Sequence, residues 1–366
     1  MRIAIIGAGA VGSVLGSLLW RAGEDVVLVG RTAHVAAIRA AGLNVQGVLG
    51  GFNATPHAEV RLSAKPDLAL LTVKTQDVVT ALRESAAMLK GVPVVVLQNG
   101  LRSEELAATI VPADQLVSGV VSLHAQYLVP GHVVLMQSEG LLIGRLNGEN
   151  DELVDRVRRT LDKAVPTAIT SNIRGARWTK LIVNLSNALP ALCDASFRQV
   201  YKALFLRRLA VRLMREGIAV AERAGIPLES LPGASVPPVR LAALLPAALA
   251  GAVAARAAAK LETRWSVKGS TWQSIARARP TEIDYLNGEI VRMGRKLGVS
   301  TPLNELVVKL VERVAADRRY LTPRDIEQAV KQRGLPGDSG PHPRNFACPS
   351  GAGHRTTPVR RARDGD

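Results

Sequence analysis

Only two cysteines occur in the 366 residues, Cys193 and Cys348, and they lie far apart, the second in a stretch expected to be unstructured. That excludes a disulfide framework and leaves no spaced thiol set for a metal, a pattern that fits a reducing cytoplasm. Aromatic residues are 3% of the chain, too few to stack a run of bases, so the formal charge of +16 does not by itself indicate a nucleic-acid binder. The basic residues are scattered and form no recognition motif; such a surface attracts an anionic cofactor or substrate. Long apolar runs are also scarce. Ile3 to Trp20 is uncharged but holds Gly7, Gly9, Gly12 and Gly16, and nothing frames it as a signal peptide. Leu241 to Ala255 is alanine-rich, contains Pro246 and is shorter than the roughly 20 residues a span needs. The expectation is a soluble cytoplasmic chain with no membrane or nucleic-acid partner.

What is present is a globular composition, 47% hydrophobic and 21% charged, at a length that suggests two domains and a tail. Arg2 to Ile6 reads as a short buried strand and is followed at once by "GAGAVGSVLG" and a helix to about Ala22; "DVVLVG" then closes a βαβ unit. In that setting Gly7 permits the tight turn, Gly9 lets the backbone approach a pyrophosphate, and Gly12 allows close helix packing. Gly7, Ala8, Gly9, Ala10, Val11 and Gly12 are therefore the expected dinucleotide loop, with the helix N-terminus favouring negative charge. The second strand ends in "VGRT". Where an NAD site usually carries an acid, Arg31 can pair with a 2′-phosphate, which favours NADP(H).

Two further strands end at the edge where an open α/β sheet carries its ligands. "DLALLTVK" brings Lys74 there, and "VPVVVLQNG" brings Gln98, Asn99 and Gly100. Beyond them, "LVSGVVSLHAQYL", "GHVVLMQS" and "GLLIGRL" read as three closely spaced strands with a turn at Pro130-Gly131. A helix from about Asp151 to Ala164 and a strand near Thr167 to Thr170 follow. His124 reads as a structural histidine.

From Ile173 the periodicity is helical. "YKALFLRRLAVRLMREGIAVAERAG" predicts a helix closed by Gly225, "RPTEIDYLNGEIVRMGRKLG" one with Thr281 near its N-cap, and "TPLNELVVKLVERV" one with Thr301 as N-cap, Pro302 at the first position and Glu305 completing the start signal. In "RWTKLIVNLSNAL", Lys180, Asn184 and Asn187 fall on one narrow stripe of an otherwise apolar helix. That helix begins where the first domain ends, so the stripe should border the cleft between domains. A desolvated lysine flanked by amides loses its proton more easily than one in water and can serve as a proton donor to a ketone. In "SVKGSTWQSIARARPTEIDYLNGE", Ser270 could hold a carboxylate or hydroxyl. Glu282 could pair with Lys180, take a substrate hydroxyl, or be only a first-turn acid. The expected division is 1–170, an α/β Rossmann-like NADP(H)-binding domain; 171–330, an all-helical substrate and dimerisation domain; and 331–366, a disordered basic tail rich in Gly, Pro, Ser and Arg.

Together, "GAGAVG", "TVKTQD", "LQNG", "ARWTKLIVN" and "STWQS...TEIDYLNGEI" resemble the ketopantoate reductase (2-dehydropantoate 2-reductase) family, in order, from Met1 to about residue 315. The resemblance implies a Rossmann-like domain joined to a helical domain of the 6-phosphogluconate dehydrogenase C-terminal type, an active site between them, and NADPH as hydride donor. The reaction it implies is reduction of ketopantoate to pantoate in pantothenate biosynthesis. Lys180 would be the general acid, and Asn99 and Asn184 would position ketone and hydroxyl. Ser270 would bind substrate, Glu282 would contact it or orient the lysine, and Lys74 would lie near the cofactor. Asn187 is a further candidate substrate contact, and dimers are a common family outcome.

Two positions depart from the family pattern. Ala188 stands where many members have a second helix asparagine, and Val267 where many have an asparagine before the serine motif. A different 2-oxo acid, a 2-hydroxy acid or opine-type dehydrogenase, and a non-catalytic NADP(H)-binding redox sensor stay open as other readings.

Overall fold

In β1 (Arg2–Ile6), Ile3, Ala4 and Ile5 are all fully buried, as a strand covered on both faces requires. The computed structural model describes residues 1–236, 249, 251–252 and 268–335. Cys348, Val267, the expected tail from residue 336 onward and most of the run from Leu241 to Ala255 lie outside the described residues. After β1 come α1 (Ala10–Arg21), β2 (Asp25–Val29), α2 (Thr32–Ala41), β3 (Leu43–Gly47), β4 (Phe52–Ala54), β5 (His57–Glu59), β6 (Leu68–Leu71), α3 (Val78–Leu89), β7 (Val94–Val96) and α4 (Ser103–Ala108). The sheet-bearing half is completed by β8 (Leu116–Val129), β9 (His132–Gly144), α5 (Glu152–Asp162) and β10 (Thr167–Ile169).

All ten strands join one sheet in the order β4-β3-β9-β8-β7-β6-β1-β2-β5, with β10 beside β9. From β5 through β2, β1, β6 and β7 to β8 every pairing is parallel, so the carboxyl ends of β1, β2, β6 and β7 share one edge. β4 and β5 are three residues each, too short to show a period, and β3 alternates over only Leu43 to Gln46. The segments expected as two strands after Gly131 are one, β9. Its register against β8 steps from Ser122↔Gly140 to Leu123↔Ser138, so Glu139 is an extra residue in a bulge. Gly140 sits there at φ +123°, and a Cβ on it would lie 2.6 Å from the Pro166 carbonyl oxygen. The turn at Pro130 and Gly131 falls where expected, joining β8 to β9.

The helical half comprises α6 (Ile173–Asn184), a 3-10 turn (Leu185–Asn187), α7 (Ala188–Cys193), α8 (Phe197–Lys202), α9 (Leu204–Arg223) and α10 (Gly269–Ala276). A second 3-10 turn (Ile283–Tyr285) precedes α11 (Asn287–Leu297), α12 (Pro302–Asp317) and α13 (Pro323–Gln332). Leu181, Ile182, Leu185, Leu189, Leu213, Ile290 and Val311 form the centre of its core. The helix expected from Tyr201 is interrupted at Ala203, whose backbone is extended, and resumes as α9. Thr301 precedes α12 but does not cap it with its side chain. Instead the Glu216 carboxylate, arriving from α9, accepts the N–H groups of Leu303 and Asn304 at 2.9 Å each. A carboxylate there satisfies two orphan donors and faces the positive end of the helix, which a hydroxyl cannot match. No helix among the described residues is long and apolar enough to cross a membrane.

Candidate active site

The turn from β1 into α1 is built to receive a large anion. Gly7 has φ +109°, and a Cβ there would stand 2.5 Å from the Val73 amide nitrogen. A Cβ on Gly12 would meet the Gly7 carbonyl oxygen at 2.3 Å and the Thr72 hydroxyl at 2.4 Å, so only glycine lets the loop press on β6. Gly9 is the opposite case. It is exposed, and the nearest atom to a Cβ built on it is 4.0 Å away, leaving the space above it open. The first helical bond runs from Ser13 N to Gly9 O (2.9 Å), which leaves the N–H groups of Ala10, Val11 and Gly12 ahead of it, and no side chain caps the helix. Open space over free helix-start amides fits a pyrophosphate. Ala8 is buried and donates its N–H to Val29 O (2.8 Å), tying the loop to β2.

Arg31, at the end of β2, is exposed and makes no ion pair among the described residues. Its guanidinium is free to meet a phosphate next to the loop.

At the end of β6, Lys74 reaches out of the sheet half altogether. Its ammonium donates to Ser274 Oγ at 2.7 Å and to the Pro280 carbonyl, so it ties the strand edge to α10 and the turn after it. Burial lowers its pKa, opposed by the Glu282 and Asp77 carboxylates and reinforced by Arg31 and Arg277. Glu282 makes no ion pair with Lys180. Its Oε1 accepts the Thr75 N–H (3.0 Å) and hydroxyl (3.2 Å), and it precedes a 3-10 turn and not an α-helix. That turn intervenes before α11 and leaves the carboxylate facing the end of β6. Burial raises the Glu282 pKa, against the Thr75 hydrogen bonds and the Lys74 charge.

Lys180, Gln98, Asn99, Gly100, Val120, Val121 and Arg177 line one recess between α6, the end of β7 and β8. Lys180 has no carboxylate within ion-pair distance among the described residues, and burial pushes its ammonium down to about 8. His124, nearby on β8, is held down to about 4 by burial and then by the Lys180 charge. At neutral pH it is an uncharged neighbour.

α6 turns into a 3-10 turn at the stripe itself. Asn287 Nδ2 donates to the Leu185 carbonyl (3.1 Å) where the helix tightens, satisfying an acceptor as the α-helical ladder changes. The tightened turn puts Asn187 over Asn184, and three carboxamides join: Asn187 Nδ2 donates to Asn184 Oδ1 at 3.3 Å, and Asn184 Nδ2 to Asn99 Oδ1 at 3.1 Å. The one Thr75 hydroxyl proton is shared between Glu282 Oε1 and the Asn99 carbonyl (3.1 Å), so Asn99 is held at both backbone and side chain. Ser270 opens α10 beside this relay. A Cβ on its neighbour Gly269 would be 3.9 Å from Asn187 Cβ. Ala188, the departure noted in the sequence, is buried in the helical core and presents no polar group.

Sequence patterning missed Arg177. Its side chain is 3% exposed and paired with Glu104, 4% exposed, on α4. Its Nη2 also donates to Gly100 O and Ser103 Oγ at 2.7 Å each, and Ser118 Oγ donates to Glu104 at 2.5 Å. One turn of helix before Lys180, this network fastens α6 to the loop that carries Asn99. Thr75 was missed as well, since nothing local marks a threonine as the holder of a distant carboxylate.

Two sequence models match the two halves: one described as ketopantoate reductase PanE/ApbA over residues 3–148, and one described as ketopantoate reductase PanE/ApbA C terminal over residues 172–315. The 2-dehydropantoate 2-reductase of Pyrococcus horikoshii is 31% identical over 315 residues, covering 85% of this chain and 97% of that protein. A solved PanE/ApbA family ketopantoate reductase from Ralstonia eutropha JMP134 aligns with a TM-score of 0.72 at 30% identity, over 87% of this chain and 99% of that one. D-mandelate dehydrogenase, solved with NADH and anilino(oxo)acetate, aligns with a TM-score of 0.75 at 25% identity, over 87% of this chain and 99% of that one.

Proposed function

We propose, because the chain belongs to the ketopantoate reductase family, that this oxidoreductase reduces a 2-oxo acid, 2-dehydropantoate before others, with NADPH and with Lys180 as general acid. The observation that carries the reading is the placement of Lys180. Its ammonium shares a recess with Asn99, lacks a carboxylate partner among the described residues, and is brought by burial to about 8, close to working pH.

NADPH bound at the glycine loop supplies the hydride. The chain's own residues do the rest. The amides of Ala10, Val11 and Gly12 receive the pyrophosphate, and Arg31 the 2′-phosphate. The Asn187–Asn184–Asn99 relay holds the Asn99 carboxamide toward the substrate oxygens, and Ser270, at the start of α10, takes the carboxylate or a hydroxyl. Lys180 Nζ gives a proton to the ketone oxygen as the carbonyl carbon is reduced, leaving the 2-hydroxy acid and a neutral amine that solvent reprotonates. Glu282 remains in the reading as part of the same rim, tied to Thr75, and Lys74 as the tie between the halves. We place the reaction in the cytoplasm, as a step of pantothenate biosynthesis.

A second reading keeps the mechanism and changes the acid. The likeness to D-mandelate dehydrogenase favours a substrate with an apolar side chain. Oxidation of NADPH with 2-dehydropantoate, 2-oxo-2-phenylacetate and branched 2-oxo acids separates the two. Fastest turnover of 2-dehydropantoate supports the first reading, fastest turnover of the aryl acid the second, and cofactor binding without turnover of any acid contradicts both.

A further inference from the structure

The end of α10 away from Ser270 leads into Arg277, which the proposed chemistry leaves unused. This arginine follows the last turn of α10, is exposed, and makes no ion pair among the described residues. It crosses to the sheet half, donating to the Tyr127 carbonyl and lying 5.0 Å from the centroid of the Tyr127 ring. Tyr127 in turn packs on the His34 ring at 4.8 Å. His34 is buried in the first turn of α2, directly after Arg31, and its Nδ1 accepts the Gly131 N–H at 2.9 Å. That bond fixes the proton on Nε2, which faces Ser13 Oγ at 3.0 Å, one residue beyond the glycine loop. Arg277, Tyr127, His34 and Ser13 thus form a continuous stack from the helical half to the starts of α1 and α2. Those helix starts are where Arg31 stands free.

Lys74 reaches the same rim through Ser274, three residues before Arg277. Its pKa is lowered first by burial, and Arg31 and Arg277 each push it further against Glu282 and Asp77. Tyr127 feels both arginines too, though burial dominates its upward shift. Arg277 reaches α2 through Tyr127 and His34, Arg31 caps the start of α2, and Lys74 bonds Ser274 on α10, so three cations stand on this rim, and two of them, Arg31 and Arg277, have no carboxylate partner among the described residues. Like charges brought together without counter-ions cost stability, and a multiply charged anion between them removes that cost.

We propose that Arg277 is a second arginine for the adenosine 2′-phosphate, supplied by the helical half and set opposite Arg31, so that the phosphate is held from both sides of the crevice. This rests on the NADP(H) reading above and extends it. The 2′-phosphate then bridges the two halves and links discrimination between NADPH and NADH to their apposition. Gln273 Oε1 accepts from Arg277 Nη2 at 3.2 Å and keeps the guanidinium aimed.

The test is calorimetric titration of the full chain with 2′,5′-ADP and with 5′-AMP, which differ only in the 2′-phosphate. Wild type should bind 2′,5′-ADP the more tightly. Arg277→Ala should weaken 2′,5′-ADP about tenfold, the scale of one charge-assisted contact, and change 5′-AMP less than about twofold. Arg277→Lys should recover part of the loss. Equal weakening of both ligands makes Arg277 a structural tie between the halves and overturns the proposal, as does no change in either. A wild type that does not distinguish the two ligands overturns the NADP(H) reading itself, and this inference with it.

Discussion

Asn184 on α6 donates its carboxamide to that of Asn99 at the end of β7 across 3.1 Å, so a helix and a sheet edge far apart in sequence share one hydrogen-bonded pair. Asn187 stands behind Asn184 in the same line. The side-chain oxygens of Asn184 and Asn99 each accept from the residue behind, which leaves the Asn99 amide N–H groups for a substrate in the proposed mechanism. Asn184→Ala should remove that orientation and lower kcat/KM for reduction on the order of 10- to 100-fold, with cofactor affinity little changed. Steady-state kinetics together with a direct cofactor titration check it; an unaltered kcat/KM would remove the relay from the account.

The pH profile follows from Lys180. Reduction needs the ammonium, and burial sets it at about 8 in the free protein. kcat/KM for reduction should therefore be level below that pH and fall about tenfold per unit above it, because the acid is lost as the proton leaves. Oxidation of the 2-hydroxy acid needs the neutral amine, so its kcat/KM should rise as the pH approaches 8 and level off above it. His124, held near 4, should contribute no step between pH 6 and 8. A reduction profile that climbs through pH 8 would contradict the assignment.

Arg177 and Glu104 form a buried pair that docks α6, the helix that carries Lys180. Arg177→Met leaves Glu104 charged and without its partner, which should cost about 3–5 kcal/mol in urea unfolding followed by circular dichroism. Arg177→Met with Glu104→Leu should recover much of that loss, since the isolated charge is then gone. If the single variant is as stable as wild type, the pair does not hold the halves together.

Arg31→Asp should weaken NADPH far more than NADH, because an acid repels the 2′-phosphate and can accept from a 2′-hydroxyl. A loss on the order of 100-fold for NADPH, with NADH near its original affinity, is the expected outcome of a fluorescence titration. Equal losses for both would refute the 2′-phosphate assignment.

What sequence could disclose was local. The glycine loop was legible because Gly7, Gly9 and Gly12 are dictated by a turn and a helix start that lie within six residues of one another. Lys180 and Asn184 were legible because helical spacing puts them on one face. The relay to Asn187 depends on a change to 3-10 geometry that Asn287, a hundred and two residues away, completes. Glu282 shows the same limit from the other side. Its neighbours suggest a first-turn acid, but its partner is Thr75, two hundred and seven residues earlier. Gly140 marks the bulge at Glu139 but reads equally as a gap between two strands, and the break at Ala203 has no distinctive local residue, so the pattern predicts two strands where β9 is one and starts α9 too early. Long-range pairing, not propensity, decided each of these.

The central claim is that Lys180 protonates the ketone, and Lys180→Ala tests it most directly. Single-turnover reduction of 2-dehydropantoate should slow by about 10²- to 10⁴-fold at pH 7, with NADPH affinity within about twofold of wild type and the break near pH 8 abolished. An unchanged rate, or a break near pH 8 that survives the substitution, would contradict the account.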